Sequence, residues 1–335
     1  MADFDALLFD LDGVVYVGPS AVAHAAEVIG AARALAIDCG FVTNNAARMA
    51  EVVADHLCEL GIPARAEEVI TSPQAAVSVL GQFVPTGSRV LVIGGAGIAD
   101  ELSRCGYVPV RSLAEKPAAI MQGFSPDLTW RDLAEATYAV RAGLPWIATN
   151  LDFTFPTPGG AAPGNGSLVR LVADVTGREP AAVAGKPEPP LLNEAITRLE
   201  AERPLMIGDR LDTDIEAGAR VGIPSLLVMT GVATVTDALS AEGVQRPSFI
   251  GADLRVLLEP YPQPLLSATF AEARCGDAVV RVEEGDLVVD AWGAGIDALR
   301  AAATLCWAYA DLGESVSFDH ARVELERSVM AEHAR

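Results

Sequence analysis

One local pattern occurs twice in this chain, and its repetition restricts the architecture more than any other feature. Near the start, an apolar run from Ala6 to Phe9 precedes a helical pattern from Ala25 to Leu35, with Val28, Ile29, Ala32 and Leu35 on one face. A second run from Cys39 to Val42 leads into a helix from Met49 to Leu60, closed by Gly61-Ile62-Pro63. The same order returns late. Leu192 to Leu199 reads as helix, Pro204 to Ile207 as strand, Asp214 to Val221 as helix, then Gly222-Ile223-Pro224 as a stop and Ser225 to Met229 as strand. Short, wholly apolar strands alternating with helices belong to parallel sheets covered on both faces. Glycine followed by proline is a helix terminator. Two stretches of one pattern, about a hundred residues apart, predict an α/β fold: one doubly wound parallel sheet interrupted by an inserted domain.

The predicted boundaries are a core of residues 1–84 and 181–258, an inserted α/β cap of residues 85–180, and a small α+β appendage of residues 265–335 after the linker EPYPQPLL. In the appendage we expect two short strands, an amphipathic helix from Ile296 to Ala310 and a last strand. With 335 residues, 51% of them hydrophobic and 21% charged, the chain can bury a sizeable core. Its formal net charge of −21 offers no surface to neutralise phosphate backbones, which argues against nucleic-acid and anionic-membrane partners. No stretch reaches the roughly 18 uninterrupted apolar residues of a membrane span, and the N-terminus lacks a basic region ahead of an apolar one, so we expect a cytoplasmic protein. The five cysteines show neither a disulfide framework nor zinc-ligand spacing.

The segment LLFDLDGVVY places Asp10 and Asp12 one residue apart at the end of an apolar run. On a strand the two would share a face, and that crowding of negative charge calls for a cation. Three other segments also follow a strand or open a helix: Thr43-Asn44-Asn45, Gly185-Lys186-Pro187 and GDRLDTD, residues 208–214. In open α/β sheets, ligands bind beyond the carboxyl ends of the strands, where Asp10, Thr43 and Asp209 are expected to meet. Thr213 and Glu216 have capping-box spacing, which predicts a helix from Asp214. Two further patterns look like decoys. Gly95-Ala-Gly97 after the run Arg89 to Ile93 reads as a tight turn into a helix, since Asp100 stands where a dinucleotide fingerprint needs Gly or Ala. Cys105 and Arg111 have the spacing of cysteine phosphatases, but the intervening GYVPV alternates like a strand and Pro109 removes an amide from any phosphate cradle.

Taken in order, the four segments resemble the four motifs of the haloacid dehalogenase-like phosphatases. ATNLDFTFPTPGG, PGNGSLV, GKPEPP and GDRLDTDI are similar to the subgroup with a large cap between the second and third motifs. The resemblance implies that Asp10 is the nucleophile, Asp12 the general acid and base, Thr43 and Lys186 the phosphate holders and Asp209 a magnesium ligand. Magnesium takes hard oxygen ligands and keeps several waters. It would sit among Asp10, the Asp12 backbone carbonyl and Asp209, oriented by Asp214 from behind. Asp12 favours hydrolysis, because an acid there can protonate an alkoxide and then activate water. For contacts to the remainder of the substrate we expect Asn44, Asn45, Asn150, Asp152, Phe155 and Arg210.

The implied substrate is a small phosphorylated metabolite, glycerol 3-phosphate first, with 2-phosphoglycolate, pyridoxal phosphate or a nucleotide as alternatives. A phosphometabolite sensor without turnover is the alternative of another class, and phosphoryl transfer to a second metabolite is a variant of the reaction. Similar proteins form dimers through the cap, so a homodimer is compatible. In the appendage, Asp290-Ala-Trp-Gly293-Ala-Gly295 faintly resembles the coenzyme A turn of GCN5-related acetyltransferases. Asp290 would repel a pyrophosphate and the segment is too short, so we expect a noncatalytic fragment.

Overall fold

The computed structural model describes residues 3–157 and 159–334, apart from the side chains of residues 155–157. The chain forms two compact units: one runs to Cys39 and resumes at Ala201, the other is Gly40–Glu200. The first unit holds four parallel strands in the order Phe249–Gly251, Ser225–Val228, Pro204–Gly208, Ala6–Phe9. Ala6 lies beside Pro204 and Phe9 beside Ile207, so the two ends of the unit are stitched together in register. All four residues of Ala6–Phe9 are buried, as are those of Pro204–Gly208. The Asp5 carboxylate accepts from the backbone N–H groups of Glu202 and Arg203 at 3.1 and 2.9 Å, fixing the entry to the pair. Helix Ala25–Ala34 buries Val28, Ile29 and Ala32, three of the four positions its periodicity predicts, while Leu35 lies just past the helix end and is exposed.

The C-terminal part of the first unit is a four-stranded antiparallel sheet with two helices. The strands are Leu265–Leu266, Glu272–Cys275, Ala278–Glu283 and Asp286–Ala291, followed by helices Asp297–Asp311 and Asp319–His333. Ala273, Val280, Leu299 and Leu305 share one continuous core with Ile215, Leu227 and Ile250. This corrects two expectations. There are four strands rather than two before the first helix, and the terminal segment is a helix. Ala321, Leu325 and Val329 recur every four residues and are its buried positions; the strongly charged residues between them obscure that period.

The second unit contains the parallel pair formed by strand Asp38–Thr43, which begins in the first unit, and Val69–Thr71. It also contains a five-stranded parallel sheet in the order Ala182–Val183, Trp146–Ala148, Ala119–Gln122, Arg89–Ile93, Val108–Val110. Helices Trp130–Arg141 and Asn165–Thr176 cover it, and Leu91, Ile120, Trp146, Val169 and Val172 form the core between them. A hairpin of Thr154–Thr157 and Gly160–Pro163 extends the loop after Trp146–Ala148. Among the described residues no helix is long and apolar enough to cross a membrane.

Candidate active site

The strand Ala6–Phe9 ends one residue before Asp10, whose N–H donates to the Ile207 carbonyl at 2.8 Å. The neighbouring strand Pro204–Gly208 ends one residue before Asp209. The in-register parallel pairing of these two strands, Phe9 beside Ile207, delivers both carboxylates to the same sheet edge. Asp214 joins them, and carboxylate oxygens of Asp10, Asp209 and Asp214 lie within 4.8 Å of one another. Asp209 and Asp214 are buried, at 0% and 1% exposure. Asp214 arrives by a route the sequence did not disclose. Leu211–Ile215 form a wide π-helical turn before helix Glu216–Val221, and the Asp214 carboxylate accepts from the Arg210 N–H at 3.1 Å. The expected capping by Thr213 is thus replaced by continuous helix, because the chain must bring Asp214 back over the strand end.

Three glycines make the space. A Cβ on Gly231 would lie 1.9 Å from an Asp209 carboxylate oxygen, one on Gly13 2.5 Å from the same oxygen, and one on Gly208 2.1 Å from the Asp214 Cβ. Gly13 also sits at φ 88°, where the chain after Asp12 turns back so that its N–H donates to the Tyr16 carbonyl. Val232 N–H donates to the Asp209 carboxylate at 2.7 Å, and Thr230 Oγ1 to the Gly13 carbonyl at 2.6 Å. Three carboxylates gathered in this glycine-lined fold, all hard oxygen donors with two of them buried, fit a small divalent cation such as magnesium. The Asp12 side chain is exposed. Arg210 makes a bidentate ion pair with Asp212 at 3.1 and 2.8 Å.

The second unit holds the other sequence-selected residues. Thr43, 3% exposed, ends its strand, and its Oγ1 accepts from the Asn45 N–H at 3.1 Å; Asn45 Oδ1 accepts from Ala47 N–H at 2.9 Å. These bonds wind the Thr43-Asn44-Asn45 loop tightly. Lys186 is 2% exposed and its Nζ donates to the Val42 carbonyl at 3.1 Å. Asn44 bridges to it: Oδ1 accepts from the Lys186 N–H at 2.8 Å, while Nδ2 donates to the Lys186 carbonyl at 2.9 Å and to Asp152 Oδ1 at 3.0 Å. Asn150 Nδ2 donates to the Asn44 carbonyl at 2.6 Å. Thr43, Asn44, Asn150, Asp152 and Lys186 are therefore one connected assembly. The backbone of Phe155 lies in the hairpin; its side chain is outside the described residues.

Sequence reasoning missed Ser72 and Asn165. Ser72 Oγ donates to the Asn44 carbonyl at 2.7 Å, and Asn165, 1% exposed, donates from Nδ2 to the Asn150 carbonyl at 2.7 Å. The signal for Asn165 was present in PGNGS, an asparagine between two glycines at a helix start. A Cβ on Gly164 would lie 2.2 Å from the Asp152 carbonyl, and one on Gly166 2.1 Å from that of Leu151, so both glycines are required for helix Asn165–Thr176 to abut this loop. The decoys resolve as expected. Ala96–Arg104 is a helix entered by a tight turn, and Arg111 donates to the carbonyls of Val92 and Gly94. Partial burial and the neighbouring Glu101 carboxylate push the Cys105 thiol up, the reverse of what a nucleophilic thiolate requires.

Parallel strands that end in this carboxylate group define a haloacid dehalogenase-like hydrolase, and the chain belongs to that family. The family described as haloacid dehalogenase-like hydrolase matches residues 7–108, and a second HAD-hydrolase-like family matches residues 183–257. Within it, the chain is 44% identical over 313 residues to the D-glycerol 3-phosphate phosphatase of Mycobacterium tuberculosis, spanning 91% of this chain and 86% of that protein. The crystal structure of a glycerol phosphate phosphatase from the same organism in complex with magnesium superposes with a TM-score of 0.82 at 38% identity, covering 97% of each chain. An acid sugar phosphatase of Staphylococcus saprophyticus is 36% identical over 236 residues, 70% of this chain and 90% of its own.

Proposed function

We propose that the chain is a magnesium-dependent phosphatase that hydrolyses a small phosphate monoester, glycerol 3-phosphate first, through an aspartyl phosphate on Asp10. The observation that carries this reading is the group of three carboxylates, Asp10, Asp209 and Asp214, with a further acid at Asp12. The substrate choice is supported by the 44% identity to the mycobacterial enzyme.

A carboxylate oxygen of Asp10 attacks phosphorus in line with the ester oxygen, forming the aspartyl phosphate as the P–O ester bond breaks. Asp12 gives its proton to the departing alkoxide. It then takes a proton from the water that attacks the aspartyl phosphate, which restores Asp10 and releases inorganic phosphate. The Thr43 hydroxyl and the Lys186 ammonium hold the phosphoryl oxygens and offset their charge. Asp10, the Asp12 carbonyl and Asp209 would hold magnesium, with Asp214 orienting them; when bound, the ion neutralises charge between the carboxylates and the phosphoryl group. Residues 1–84 with 181–258 form the catalytic core, residues 85–180 the cap that selects the substrate, and residues 265–335 a noncatalytic appendage. The protein works in the cytoplasm on a soluble metabolite and is compatible with a homodimer.

The test is inorganic phosphate release from glycerol 3-phosphate, 2-phosphoglycolate, pyridoxal phosphate and a nucleoside monophosphate, with magnesium or with chelator, for the wild type and Asp10→Asn. Magnesium-dependent release, highest with glycerol 3-phosphate and lost in Asp10→Asn, is the expected result. Normal turnover by Asp10→Asn would overturn the mechanism. Release from none of the four would favour a phosphometabolite sensor.

A further inference from the structure

We infer that Asn44 is a positioning residue for Lys186, setting where the lysine's main chain sits and tying that position to the loop that carries Asp152. This deepens the phosphatase reading and rests on its assignment of Lys186 as a phosphate holder.

Both ends of the Asn44 side-chain amide are engaged. Its Oδ1 accepts from the Lys186 N–H at 2.8 Å, and its Nδ2 donates to the Lys186 carbonyl at 2.9 Å. The side-chain amide thus meets both main-chain groups of Lys186, as a neighbouring strand residue would, across 142 residues of sequence. The second Nδ2 proton goes to Asp152 Oδ1 at 3.0 Å, so both donors of the amide are used. Asn44 itself is immobilised through its own carbonyl, which accepts from Ser72 Oγ at 2.7 Å and Asn150 Nδ2 at 2.6 Å. Asn150 is held in turn by Asn165 Nδ2 on its carbonyl and by the Asp152 N–H on its Oδ1. Gly185 leaves no slack, since a Cβ there would lie 2.5 Å from Asn44 Oδ1.

A loop that needed only to be folded would be served by its own turn bonds. Here the residue next to Thr43 anchors the main chain of Lys186, so two phosphate holders share one fixture. Misplacing a holding group by about 1 Å can cost on the order of a hundredfold in rate, which is what this fixture prevents. Asn44→Asp is the discriminating change. It is isosteric and keeps the acceptor for the Lys186 N–H, but it removes both donated bonds and sets a second carboxylate against Asp152.

The experiment measures kcat and KM with glycerol 3-phosphate, in saturating magnesium, for the wild type, Asn44→Asp, Lys186→Met and the double variant. Thermal unfolding is followed in parallel. Asn44→Asp should lower kcat about a hundredfold. In the Lys186→Met background the same change should cost less than about threefold, because the group being positioned is gone. Equal losses in both backgrounds would mean that Asn44 acts only on general folding and would overturn the inference, as would wild-type kcat in Asn44→Asp. If Asn44→Asp does not fold, Asn44→Ala is read in the same cycle, without the added charge. Full activity in Lys186→Met would instead remove the phosphatase reading's own assignment and the inference with it.

Discussion

Gly231→Ala tests the carboxylate group with the least ambiguous geometry. The added Cβ would fall 1.9 Å from an Asp209 carboxylate oxygen and 2.5 Å from its Cγ, where ordinary contact is 3.4 Å or more. The shortfall is about 1.5 Å. Asp209 cannot escape without breaking the 2.7 Å bond from Val232 N–H, and its surroundings are fully buried. Overpacking of this kind costs about 1–3 kcal/mol of stability without metal. Disturbing the carboxylate should also weaken magnesium binding about 10–100-fold. At a magnesium concentration a hundred times the wild-type Kd, binding stabilises the wild type by about 2.7 kcal/mol. A 30-fold weaker variant retains about 0.9 kcal/mol. For a chain of this size, about 2 °C of Tm per kcal/mol makes the missing part a deficit of roughly 3–4 °C in the magnesium-induced rise. Differential scanning calorimetry with and without magnesium measures it. The control is Gly30→Ala, in helix Ala25–Ala34 with nothing within 4 Å of the new Cβ, which should keep the full rise. A Gly231→Ala protein with an undiminished magnesium response would refute the assignment of Asp209 to the ion.

The remaining predictions concern the first unit and the cysteines. A thiol reagent at pH 8 should label Cys58 quickly, Cys105 more slowly because its thiol is pushed up, and buried Cys39, Cys275 and Cys306 only on unfolding; labelling of more than two in the folded protein would contradict the packing. Burial, then the Asp297 carboxylate, pushes the Cys275 thiol up to about 12 from its ordinary 9.0, and burial alone takes Cys306 to about 12. Because the folded state holds both protons more tightly, their contribution to stability is complete below pH 9 and disappears as the pH climbs towards 12. Denaturant titrations of Cys306→Ala should therefore show a shallower alkaline decline than the wild type, and an identical decline would contradict this. Arg300→Met should cost about 3–5 kcal/mol in urea unfolding, since it strands the buried Asp297 carboxylate, 2.7 Å from Arg300, and an Ile250 carbonyl. A cost under 1 kcal/mol would show that the pair is not isolated from water.

The parallel strands were legible because their residues are apolar without interruption, and the acids at their ends stood out against that background. Asp10, Asp209, Thr43 and Lys186 could be picked from local sequence alone. Asp214 was expected behind the ion from the resemblance alone; its approach to Asp10 depends on a π-helical turn that no periodicity announces. Asn44 and Asn150 were selected as substrate contacts; that their amides also bond Lys186 and each other's loops is a pairing fixed by tertiary structure over more than a hundred residues. For Arg210 a contact to the leaving group and a surface ion pair were equally open from the sequence; the structure shows the pair with Asp212. The terminal helix was hidden because only three of its fifteen residues, Ala321, Leu325 and Val329, are buried.

The pairing of Ala6–Phe9 with Pro204–Gly208 also dictates an order of events during synthesis. Residues of the first unit emerge at both ends of the chain, while Gly40–Glu200 is an uninterrupted stretch. At about 5–20 residues per second, roughly 10–40 seconds separate the appearance of Asp10 from that of Asp209 on a translating ribosome. During that interval the intervening unit is itself being made and is complete in sequence only at Glu200, whereas the N-terminal strand still lacks its partner Pro204–Gly208. The three-carboxylate group is thus among the last features a nascent chain can assemble, and a truncated product ending before residue 204 would carry Asp10 but no means of holding a cation beside it.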